Sequence, residues 1–81
     1  MRRIELRFYQ KICIHGMSLD DIAKEIDGMD HKTIAAYQAD SMMFQTPYKL
    51  AREIISNLAR RNLIIEVNGR YKQNKNRDKT R

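Results

Sequence analysis

Cysteine is nearly missing from this sequence: Cys13 stands alone, so no internal disulfide can staple the fold. Long apolar runs are missing as well. The longest span only a few residues, such as Leu63-Ile64-Ile65, whereas a membrane-crossing helix needs about 20. The stretch Met1-Arg2-Arg3-Ile4-Glu5-Leu6-Arg7 carries early positive charge without the apolar segment and small-residue cleavage site of a secretion signal. These absences predict a chain of the reducing cytoplasm, away from membranes. There is no glycine-rich phosphate loop, no zincin-type histidine pair, and no serine or cysteine nucleophile with a base at suggestive spacing. Cys13-Ile14-His15 is the one Cys/His pair, His31 is distant, and no further ligands complete a metal set. A chain this short also has little room for an enclosed pocket. The reading therefore expects no enzyme, no cofactor and no metal.

What is present is unevenly spread. The formal net charge is +6, but residues 1–46 hold six Lys/Arg against seven acids. Residues 47–81 hold ten basic residues against three acids, so the positive charge lies at the C-terminal end. Such polarisation points to a polyanionic partner, with a solvated basic tail as the bland alternative. The 81 residues make one domain, expected over 1–73 with a flexible basic tail over 74–81. Small chains bury only about 60% of their unfolded surface, so the core should be thin.

Along the chain, Ile4, Phe8 and Ile12 recur at spacing four, with Tyr9 and Cys13 beside them. They predict an amphipathic helix over 3–14, ended by His15-Gly16. Ser18 can cap a second helix over 18–27, where Asp20 and Asp21 suit the positive helix start. Its buried face is Leu19, Ile22, Ala23 and Ile26, and Gly28 closes it. Asp30 caps a third helix over 31–44, running towards Met42-Met43-Phe44. Thr46 caps a fourth over 47–61, with the only proline, Pro47, at the first helical position. This last helix has Leu50, Ile54 and Leu58 on one side, widened by Ala51 and Ile55, and Lys49, Arg52, Ser56 and Arg60 on the other. Asn62 can adopt the left-handed angles of a helix stop. Asn68-Gly69 between two β-prone runs predicts a hairpin in which Val67 faces Arg70, Glu66 faces Tyr71 and Ile65 faces Lys72. The expected class is mainly α with a small β-hairpin.

Two stretches of this pattern resemble the winged helix-turn-helix family. Met17-Ser18-Leu19-Asp20-Asp21-Ile22-Ala23-Lys24-Glu25-Ile26 looks like the first helix of a helix-turn-helix pair. Leu50 to Tyr71, with Asn62-Leu63-Ile64 at the helix exit and Asn68-Gly69 at the turn, looks like a recognition helix leading into a wing. The resemblance implies four helices followed by a two-stranded wing, and a partner of double-stranded DNA. One helix more than the pattern needs lies between the landmarks, so two registers fit. Either 31–44 reads bases, or 31–44 supports and 47–61 reads.

Charge selects the second register. Residues 20–40 hold six acids and two bases, a surface that the phosphates of DNA repel. Helix 47–61 offers Thr46, Tyr48, Lys49 and Arg52 at its start, with Arg52 the candidate for a bidentate guanine contact. Ser56, Asn57 and Arg60 follow, then Asn68, Arg70 and Lys72 on the hairpin and Lys75 and Arg77 in the tail. The expected function is sequence-specific DNA binding by a small transcriptional regulator. A palindromic target would call for a homodimer through helix 3–14 or Met42-Met43-Phe44. Two rivals stand beside this reading: a protein-interaction module using the acidic surface 20–40, and an RNA-binding accessory protein using the tail.

Overall fold

The computed structural model describes residues 3–30, 32–33 and 46–75. These residues form α1 (Arg3–His15), β1 (Met17–Ser18), α2 (Leu19–Asp27), α3 (Pro47–Arg60), β2 (Ile64–Val67) and β3 (Arg70–Gln73). The fold is mainly helical with a small antiparallel sheet, strand order β1-β3-β2. None of these helices is long and apolar enough to cross a membrane. The expected helix over 31–44 lies outside the described residues except at Lys32 and Thr33. Just before it, the Asp30 carboxylate accepts a hydrogen bond from the Thr33 backbone amide at 2.6 Å, the geometry of a helix cap.

Local signals set the boundaries. Ser18 Oγ accepts from the Asp21 amide at 3.1 Å while the Ser18 amide donates to Asp21 Oδ2 at 3.2 Å, a reciprocal capping box that starts α2. Thr46 Oγ1 accepts from the Lys49 amide at 3.1 Å and Pro47 occupies the first turn of α3. Gly16 ends α1 with φ +67°, and Asn62 ends α3 with φ 61°. Gly28 closes α2 in ordinary right-handed geometry, φ −82°, so its value there is not conformational.

The core collects one face of every helix. Ile4, Phe8 and Ile12 of α1 meet Ile22 and Ile26 of α2 and Leu50, Ala51, Ile54, Ile55 and Leu58 of α3, with Leu63 and Ile64 closing the group. Burying each of the larger side chains is worth about 1.5–3 kcal/mol, which is how short helices outside their isolated stability range hold together. Leu19, Ala23, Met17 and Tyr71 pack around its rim.

The hairpin has the expected register, Val67 opposite Arg70, Glu66 opposite Tyr71 and Ile65 opposite Lys72. Asn68 (φ 54°) and Gly69 (φ 81°) both take left-handed angles, as a tight primed turn demands. The sheet differs from the two strands expected. Met17 and Ser18 pair with Tyr71 and Arg70, adding a third strand on the far side of β3. Gly16 makes this approach feasible, because a Cβ there would stand 3.4 Å from the Tyr71 carbonyl oxygen at a backbone angle few side chains adopt.

Candidate nucleic-acid interface

Helix α3 separates its two faces cleanly. Its apolar stripe is buried, and Lys49, Arg52, Ser56 and Arg60 are all exposed on the opposite side. Tyr48 is exposed next to this stripe, and the Arg52 guanidinium carbon lies 6.0 Å from the centre of its ring, close enough for a cation–π attraction. Tyr48 also stands where α3 nears the hairpin. The Tyr71 phenol is held above its ordinary pKa by partial burial, then by the Glu66 carboxylate, then by the Tyr48 phenol.

Asn57 and Arg60 are less available than their neighbours. Asn57 Nδ2 donates to Glu5 Oε2 at 2.8 Å, and Asn57 Oδ1 accepts from Arg60 Nη2. Glu5 is buried to 3% exposure, so this contact supports a carboxylate inside the fold. Sequence reasoning passed over Glu5. A signal existed, since it follows Ile4 directly and lies three residues before Phe8, within the apolar stripe of α1. A second pair that spacing does not announce joins α1 to α2, where Lys11 Nζ donates to Glu25 Oε1.

Arg70 does not project freely from the turn. It sits opposite Ser18 across the β1–β3 ladder, which carries its side chain towards the start of α2. There Nη2 donates to the Gly16 carbonyl at 2.8 Å and Nη1 meets Asp21 Oδ2 at 3.3 Å. The backbone amide and then the hydroxyl of Ser18 hold the Asp21 carboxyl below its usual range, against the opposing effect of burial and with smaller help from Arg70 and Lys24. A phosphate reaching Arg70 therefore competes with an anion already in place.

The remaining nominated residues fall into separate groups. Thr46 is exposed, with its hydroxyl oxygen used in the helix cap. Asn68 is exposed at the turn. Lys72 and Lys75 flank a shallow groove between the outer side of the hairpin and the end of α1, lined also by Ile14 and Ile65. Arg77 lies outside the described residues. Asn74, the first residue of the expected tail, is anchored, its amide donating to the Leu63 carbonyl and its Nδ2 to that of Asn62, both at 3.0 Å. Among the described residues no group of three or more His, Cys, Asp or Glu side chains is arranged to hold a metal ion. No protein-family model, curated protein or solved structure matches the chain.

Proposed function

We propose that the chain is a winged helix-turn-helix protein that binds double-stranded DNA with sequence specificity, as a small transcriptional regulator. The observation that carries this reading is the exposed stripe of Lys49, Arg52, Ser56 and Arg60 on α3, on a helix whose other face is core and whose exit leads into the hairpin. Helix α3 enters the major groove, with Lys49 and Arg52 on base edges or flanking phosphates and Tyr48 steadying Arg52. The hairpin is the wing, and Lys72 and Asn68 rest on the neighbouring backbone. Helix α2, which packs more extensively on α3 than any other described element does, supports it from behind.

The test is duplex binding by fluorescence anisotropy for Lys49→Ala combined with Arg52→Ala. Both side chains are exposed, so the melting temperature should hold while affinity drops about tenfold or more, the scale of one or two lost base or phosphate contacts. Unchanged affinity would refute this role for α3 and return attention to the acidic surface or to RNA.

A further inference from the structure

The shallow groove between the end of α1 and the outer face of the hairpin follows from two local rules. Ile4, Phe8 and Ile12 take the core side of α1, and Ile14, two residues on, falls about 200° around the helix and is left 73% exposed. In β2 successive side chains alternate between faces, so Ile64 enters the core and Ile65 turns outward at 42% exposure. Lys72 stands directly opposite Ile65 in the ladder and shares its face. The stem of Lys72 runs beside Gly16, since a Cβ added there would lie 3.6 Å from Lys72 Cγ. The result is a cleft of about 420 Å³, with Ile14 and Ile65 in its apolar lining and Lys72 and Lys75 flanking them.

Among the described residues no acidic side chain lines this cleft, and neither lysine is paired with a carboxylate. The carbonyl end of α1 offsets only about half an elementary charge, so the two ammonium groups leave the cleft cationic. We infer that it docks an acidic peptide: one large apolar side chain seats between Ile14 and Ile65, and flanking carboxylates pair with Lys72 and Lys75. Docking is through side chains, on the face of the hairpin rather than along its edge. Each half of the lining excludes a simpler occupant. A nucleic-acid backbone would engage the lysines and leave both isoleucines in water. A purely apolar segment would cover the isoleucines and bring nothing to the cations. A small molecule is held by a site that encloses most of its surface, whereas this cleft is shallow. A peptide spreads its contacts over several residues and needs no such enclosure. Complementary charge steers the encounter and fixes its orientation, and the buried apolar anchor retains it.

The probe is a capped glutamate-rich peptide with one central leucine, titrated into the isotope-labelled full chain. Amide shifts should move at Ile14, Ile65 and Lys72 and stay still at Lys49 and Arg52 of α3. Replacing the leucine by glutamine, or the glutamates by lysines, should each weaken binding about tenfold or more. Reversing both cations, Lys72→Glu with Lys75→Glu, should weaken it by at least about the same factor. Ile14 has no part in duplex binding and lies outside the core. Ile14→Ser should therefore weaken the peptide about tenfold while the melting temperature and the affinity for duplex DNA stay at parent values. A leucine-free peptide that binds as well as the parent peptide would reduce the cleft to a cationic field and overturn the proposal. So would shifts confined to α3, no binding at about millimolar peptide, or a short duplex that moves Ile14 and Ile65 where the peptide does not.

Discussion

Asn57 carries an amide on the flank of the cationic stripe, but both ends of that amide are committed, to Glu5 and to Arg60. Its principal effect should be on stability. Removing a hydrogen bond to a buried charged group costs about 1.5–3 kcal/mol, so Asn57→Ala should lower the unfolding free energy by that amount in a urea titration. An unchanged midpoint would show that the Glu5 contact contributes nothing. Asp21 yields a prediction about pH. Its folded pKa is depressed, by Ser18 first, so its contribution is complete above the unfolded value of about 3.9 and is lost as pH falls through the lower folded value. Asp21→Asn forfeits that contribution at neutral pH. The gap in melting temperature between parent and variant should then narrow from about pH 5 down to about pH 2. A gap that stays constant over that window would mean that the carboxylate charge plays no part.

The elements show what a sequence can and cannot announce. The hairpin register was legible because Asn68-Gly69 allows one tight turn, and a two-residue loop leaves no freedom in the pairing that follows. The α3 boundary was legible for a similar reason: Thr46 and Pro47 act on their immediate neighbours, and a 14-residue helix is long enough to display its period. Strand β1 was not legible, since two residues carry no periodicity. Nor were the pairs Glu5–Asn57 and Asp21–Arg70, which join residues 52 and 49 positions apart through the tertiary fold. The basic stripe of the candidate site could be read from spacing alone, while the engagement of Asn57 and Arg70 could not. The turn itself can be probed in isolation. A Cβ added at Gly69 meets no atom within 4 Å, so Gly69→Ala costs only the backbone strain of φ +81°. That strain is about 1–2 kcal/mol. The loss should appear as faster hydrogen exchange at the β2–β3 amides, with α1 exchange changed less. Equal acceleration everywhere would show that hairpin and helices open as one unit.

At the scale of the whole molecule, the positive charge is gathered at one end. Residues 47–81 carry ten basic side chains and three acids, an excess that suits the proposed polyanionic partner. If the duplex complex neutralises about four to six phosphates, the log–log dependence of affinity on salt should have a slope of about −4 to −5. Deleting residues 76–81 removes Arg77, Lys79 and Arg81 but spares Asn74, which ties down the end of β3. The slope should then flatten by up to about 3 units, while the preference for one sequence over another is kept, because a tail on phosphates carries no base information.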